Sequence, residues 1–234
     1  MSFFSHLIKL RPGEDPDIFN QKFNRLLEEN DWEYVGPIEV EMPLGFEERR
    51  GYCTSVFHPN RDKPRRYTLT KIWDVNKTQV TAIMTNPSNA TEIKSDETVN
   101  FLLDYLEQPR FDFGGLTVVN TSPWVAGTVN SNSHFIEDNH NFSFIEQAII
   151  HADLVILGWG GDGRKYGIPH IRENLRELLL QHQPKLRAFG FGREDKFPKH
   201  PHPRVPTQRF SLDSELQLVT QANIESIMSV ESEN

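Results

Sequence analysis

Apolar residues recur along this chain in two rhythms, and the alternation between them predicts the fold. Ile18, Phe19, Phe23, Leu26 and Leu27 have helical spacing, and Asp15-Pro16 marks a start for that helix. A weaker strand pattern follows through VGPIEVEMPLGF. RYTLTKIWD then alternates, QVTAIMT is almost continuously apolar, and Val75-Asn76-Lys77 between them predicts a β-hairpin. Ser95 is expected to cap a helix whose buried stripe is Val99, Leu102, Leu103 and Leu106. FGGLTVVN predicts a strand, and Ser143 with Glu146 predicts a capping box ahead of Ile145, Ala148, Ile149 and Ala152. ADLVILGWG reads as a buried strand, Ile168, Ile171, Leu175, Leu178 and Leu179 as an amphipathic helix, and KLRAFGFG as a last strand.

Strands alternating with helices give a parallel sheet covered on both faces. The expectation is therefore an α/β domain over residues 65–234, with residues 1–64 an N-terminal α/β elaboration packed on it. Such sheets build their sites at the carboxyl ends of the strands. Here those ends are Asn86, Asn120, Gly158-Trp159-Gly160 and Gly190-Phe191-Gly192.

At 234 residues and 37% hydrophobic, the chain is large enough for one full core. No apolar run reaches the length of a membrane span, and MSFFSHLIKLRPGED lacks the apolar core and cleavage signal of a secretory peptide. A cytoplasmic protein with no membrane partner is expected. Cys53, the only cysteine, has no internal disulfide partner and reads as a small core residue. The formal charge of −8 argues against coating nucleic acid through a global positive field. A local basic patch is still available in KFPKHPHPRVPTQRF, residues 196–210.

The strand ends limit the chemistry. Asn86-Pro87-Ser88 offers an amide, a fixed backbone and a hydroxyl; Asn holds a water or a ligand edge, but it has no proton affinity for strong base catalysis. Taken alone, the same residues make an Asx-turn. Asn120 repeats the theme, with Trp124 or Phe111 available for stacking. Gly158, Gly160 and Gly163 satisfy G-x-G-x-x-G, yet the motif comes late and no acidic ribose ligand follows, so a loop admitting a phosphate or a planar ring fits better than a dinucleotide fold. Arg164 and Lys165 suit an anion there, or a merely solvated surface. His200 and His202 lack further ligands at zinc spacing, so no metal or other cofactor is called for. Their proline-rich loop suits an imidazole facing an atom that gains negative charge.

TNPSNATE, SDETVNFLLDYL, FGGLTVVNTSPW, ADLVILGWGG and GFGREDKFPKHPHP, in this order over residues 65–203, resemble the bacterial family known as domain of unknown function 1643. The chain departs from that pattern at Asn89, often Thr, and at Asp96-Glu97-Thr98, often Asp-Pro-Thr. More distantly the arrangement is similar to the uracil-DNA glycosylase superfamily. That resemblance implies a three-layer α/β sandwich with a mainly parallel central sheet. It implies Asn86 as the residue positioning the water, Asn120 as the amide reading the base and His200 as the imidazole of the final loop. The implied reaction is hydrolysis of an N-glycosidic bond to a modified or non-standard base in DNA, in repair or in defence against modified foreign DNA. Pro87 and Ser88 would line the site, and Phe111, Trp124 or Trp159 would stack on the flipped base. Lys199, His202, Arg204, Arg164 and Lys165 would meet DNA, with HPRVP as the wedge. Two alternatives stand beside it: a nucleobase- or nucleotide-binding module without catalysis, and an enzyme acting on free nucleosides or nucleotides. Asp96 could sit near the mouth and supply a missing carboxylate, but it reads as a stabilising residue at a helix start.

Overall fold

A computed structural model of the chain describes residues 21, 24–25, 27–29, 33–42, 49–58, 65–88, 95–126, 138 and 140–229. Ile18, Phe19, Phe23 and Leu26 of the expected first helix lie outside them, as does Asn89. The strands are β1 (Glu33–Met42), β2 (Arg49–His58), β3 (Arg65–Ile72), β4 (Thr78–Met84), β5 (Phe113–Asn120), β6 (Leu154–Leu157), β7 (Leu186–Ala188), β8 (Phe191–Gly192), β9 (Phe197–Pro198) and β10 (Gln217–Leu218). Besides the helical residues 21, 24–25 and 27–29 and shorter helical turns, the helices are α1 (Glu97–Leu106), α2 (Asn141–His151), α3 (Ile168–Gln181) and α4 (Gln221–Met228). Among the described residues no helix is long and apolar enough to cross a membrane.

Eight strands form one mixed sheet in the order β1-β2-β3-β5-β4-β6-β7-β10. Only its centre is parallel: β5 with β4, β4 with β6, and β6 with β7. The flanking pairs β1-β2, β2-β3, β3-β5 and β7-β10 are antiparallel. The sheet expected to be mainly parallel is thus mixed, a parallel centre with antiparallel wings: β1 and β2 extend one edge by antiparallel pairing, β3 runs against β5, and β10 pairs with β7 at the other edge.

Alternation along the central strands divides the core in two. Val80, Ala82, Met84, Leu116 and Val118 pack with α1 through Val99, Leu102, Leu103 and Leu106. Ile83, Val119, Val155 and Leu157 pack on the opposite face with α2, α3 and α4. Helices therefore cover both faces of an α/β sandwich. Leu27 rests against Val56, Tyr67 and Phe144, and Arg65 and Tyr67 tie β3 to the buried carboxylate of Asp138 at 2.6 and 3.1 Å.

The hairpin expected from RYTLTKIWD and QVTAIMT does not form. β5 inserts between β3 and β4, so the two strands are antiparallel but separated by about 10 Å. Their connection arches over the start of β5: the Trp73 and Asp74 N–H groups both donate to Gly114 O at 2.9 Å, and Gln79 Nε2 donates to Asp74 O at 3.0 Å and Lys77 O at 2.8 Å. The arch clears β5 because Gly114 has no side chain; a Cβ there would lie 1.9 Å from Asp74 O. Gly114→Ala is accordingly expected to destabilise the fold by about 2 kcal/mol, read as a lowered denaturation midpoint.

Helix starts also differ from expectation by small shifts. Asp96, in extended conformation, caps α1 in place of Ser95, its Oδ1 accepting from Val99 N at 2.7 Å. α2 begins at Asn141, and Asp138 Oδ1 accepts from the N–H groups of His140 at 3.0 Å and Asn141 at 3.2 Å, which leaves Ser143 inside the first turn. KLRAFGFG is broken: β7 stops at Ala188, Gly190 has φ 155°, and β8 leaves the main sheet to pair with β9. α4 carries the capping box that α2 lacks, between Thr220 and Asn223.

Candidate functional site

The parallel strands end level with one another, since Met84 pairs with Asn120, Ile83 with Leu157, and Leu157 with Ala188. From β4 the chain passes to α1 on one face of the sheet, and from β6 to α3 on the other. The loops after β4 and β6 therefore diverge to opposite faces, and at such a point open α/β sheets have the crevice that takes ligands.

Beyond the strands the backbones stay paired. Thr121 N donates to Met84 O at 2.8 Å, Ser122 N to Thr85 O at 3.0 Å and Ala126 N to Pro87 O at 3.0 Å. Asn86 locks this double loop, its Nδ2 donating to Pro87 O at 2.9 Å and Ala126 O at 2.8 Å. With both amide hydrogens engaged, what Asn86 presents is the acceptor Oδ1, suited to a water or a ligand N–H. Asn120 is 1% exposed and shares the α1 face with its partner Met84. Its carbonyl accepts from Asn141 Nδ2 at 2.9 Å, while its own Nδ2 is buried without a partner. A buried donor without a protein partner is one that a water or a ligand acceptor can satisfy.

His200 enters from the far end of the chain. Gly158 and Gly160 make room for it: a Cβ at Gly158 would lie 3.0 Å from both Met84 Sδ and Pro201 Cδ, and one at Gly160 would lie 3.4 Å from His200 Cβ. Gly160 also has φ +65°, which disfavours side chains. The loop thus crosses the ends of β4 and β6, over the crevice. His202 N donates to His200 Nδ1 at 3.2 Å. A backbone N–H only donates, so Nδ1 carries no proton and the neutral ring bears its hydrogen on Nε2. Burial pushes this imidazole down to about 4, so it is a neutral donor at physiological pH.

Asn86, Asn120 and His200, far apart in sequence, lie at the same end of the sheet. Pro87 is buried under them, and Ser88 Oγ hydrogen-bonds Asp96 Oδ2. Trp124 reaches the same rim through a bridge to Arg65. Lys199 and Arg204 are exposed on the His200 loop, and Lys165 is exposed after β6 with its Nζ 4.8 Å from the centre of the Tyr166 ring.

Four expected residues take other employment. Phe111 precedes β5, so it lies at the opposite end of the strand, about 25 Å from Asn120 by strand rise, packed in tilted contact with Tyr105 and Phe113. Trp159 is 0% exposed and belongs to the core; its indole lies under Gly163, where a Cβ would come within 2.6 Å of Trp159 Cβ. Neither ring can stack on a ligand in the crevice. Arg164 donates to Lys196 O, to Ile227 O at 2.9 Å and to Ser229 O at 3.2 Å, which fastens the β8-β9 turn and the end of α4 to the glycine-rich loop. It is a latch, with carbonyls where an anion was expected. His202 turns to α1, its Nδ1 3.7 Å from Glu97 Oε2 and its ring 6.0 Å from that of Phe101. Burial and Arg209 lower its pKa, against Glu97 and Asp96.

Several site residues escaped the sequence reading. Thr85 Oγ1 donates to Trp159 O and joins the two loops; Asn141 holds the Asn120 carbonyl; Glu97 and Arg209, 3.4 Å apart, hold the strap after His202 against α1. Thr85 adjoins Asn86 and was within reach of inspection, whereas the others depend on long-range packing. Among the described residues no group of three His, Cys, Asp or Glu gathers as metal ligands.

No curated protein and no solved structure matches the chain. A family model does, across the strands, the crevice loops and the His200 loop together: over residues 66–202 the chain belongs to the family described as Protein of unknown function (DUF1643).

Proposed function

We propose that this protein is a cytoplasmic hydrolase of uracil-DNA glycosylase-like architecture that releases a modified or non-standard base from DNA. What supports this reading is that Asn86, Asn120 and His200 all stand at one end of the sheet, where they offer an acceptor and two donors. N-glycosidic cleavage passes through an oxocarbenium-like sugar and leaves negative charge on the base. A neutral His200 Nε2–H suits that charge, because a donor in a partly buried loop stabilises it without first being deprotonated. Asn86 Oδ1 orients the water, and Asn120 Nδ2 donates to an oxygen on the base edge. Trp124 is the ring at the rim, Lys199 and Arg204 meet phosphates, and Val205, 49% exposed in HPRVP, is the apolar wedge that fills the vacated stack.

The test is incubation of the pure protein with DNA from several sources, hypermodified phage DNA included, followed by mass spectrometry of released bases and abasic sites. Free base with matching abasic sites is expected. The charge of −8 favours a second reading, in which free nucleosides or nucleotides are the substrates or are bound without cleavage. Affinity for DNA that falls steeply with salt selects the first reading; flat salt dependence with activity on free nucleosides selects the second.

A further inference from the structure

Asparagine at the end of β4 leaves a gap in the chemistry, because an amide takes no proton from water at neutral pH. Among the described residues, an acid reaches that turn from the cap of α1. Ser88, two residues past Asn86 across the buried Pro87, hydrogen-bonds through Oγ to Asp96 Oδ2, while Asp96 Oδ1 accepts the Val99 N–H at 2.7 Å. Capping α1 needs only one carboxylate oxygen, and the second is aimed back at the Asn-Pro-Ser turn. The same carboxylate acts electrostatically on His202, whose N–H holds His200 Nδ1. Asp96 thus stands between the loop of Asn86 and the loop of His200. Its neighbour Glu97 is engaged by Arg209 at 3.4 Å and His202 at 3.7 Å, which leaves Asp96 as the carboxylate paired with Ser88.

We propose that Asp96 is the proton acceptor of the hydrolysis, reached through the Ser88 hydroxyl. This rests on the glycosidic reaction proposed above. As the water oxygen bonds to the anomeric carbon, the pair of the C–N bond leaves with the base. The water gives one proton to Ser88 Oγ, and Ser88 passes its own hydrogen to Asp96 Oδ2. His200 donates a hydrogen bond to the departing base and keeps its proton. The departing base or solvent then collects the proton from Asp96, which restores the carboxylate.

Asp96→Asn separates this role from the cap, since Asn caps helices as well as Asp. On phage DNA from which the wild type releases base, Asp96→Asn is expected to lower kcat by about 100-fold or more, with KM within about twofold and an unchanged melting temperature. Ser88→Ala should fall likewise, and the double variant should be no slower than the worse single one, because the two act in one relay. Wild-type kcat in Asp96→Asn overturns the assignment while leaving the glycosylase reading intact. A loss confined to KM or melting temperature overturns it too. A wild type that releases no base from any substrate overturns both.

Discussion

Asn120→Leu is expected to abolish base release, by about 10³-fold or more, and yet to make the protein more stable by about 1 kcal/mol. Asn120 is buried, and its Nδ2 has no partner. An unsatisfied buried donor costs about 1–3 kcal/mol, and Leu fills a similar volume without one. The hydrogen bond from Asn141 Nδ2 goes to the main-chain oxygen at 2.9 Å, so it survives the change. Donation to a ligand oxygen would offset that penalty. Denaturant unfolding and single-turnover base release, measured on the same preparation, decide the matter. Lower stability with retained release makes Asn120 a structural asparagine.

The second large effect is a pH dependence built into the His200 loop. Burial holds the folded imidazole at about 4, against 6.5 for an ordinary histidine. The unfolded chain binds this proton more readily, so the native state keeps its full advantage above pH 6.5. It loses that advantage as pH falls toward 4, by on the order of 2–3 kcal/mol. His202 is also lowered and adds to the slope in the same direction. His200→Asn, whose Oδ1 can still accept the His202 N–H, is expected to flatten the His200 share of the slope and to reduce base release by about 100-fold. The measurement is unfolding free energy against pH for both proteins. Parallel curves would falsify a buried neutral His200, whatever the activity shows.

In the proposed reaction the Asp96 relay and the His200 loop divide the labour: water and its proton on the α1 side, charge on the leaving base on the β6 side. Arg164 contributes from outside it. By tying the β8-β9 turn and α4 to the glycine-rich loop, it fixes the segment from which Lys199 and His200 emerge. The three non-glycine residues of that turn at positive φ, Arg193, Glu194 and Asp195, are held in a conformation that costs about 1 kcal/mol or more each, which explains why the turn needs such a fastening.

Much of this molecule was legible in local pattern. Each of β4, β5 and β6 announces itself by a run of apolar residues, α1 and α3 by their periodic stripes, and the asparagines at 86 and 120 stand out because polar residues end strands that are otherwise apolar. Those signals survive because they arise from burial of successive positions along one element. Pairing, in contrast, is a relation between distant segments. The turn at Val75-Asn76-Lys77 looks like a hairpin turn because it is short and polar, and nothing local records that β5 slips between its two strands. Gly114 was the one trace of it, a glycine whose missing side chain makes sense only under Asp74 O.

By itself, then, the sequence determined the elements of the parallel centre, the alternation that builds an α/β sandwich, and the side chains standing at the strand ends. Tertiary structure alone decided which of these meet. Phe111 went to the far end because it precedes its strand, Trp159 into the core because Gly163 opens space for the indole, and Arg164 to carbonyls of the last helix. It also brought Ser88 to Asp96 and left Asn120 Nδ2 unpaired. The physical reason is that periodicity is set by each residue's own burial, whereas a hydrogen-bond partner is chosen by the three-dimensional approach of backbone far away in the chain.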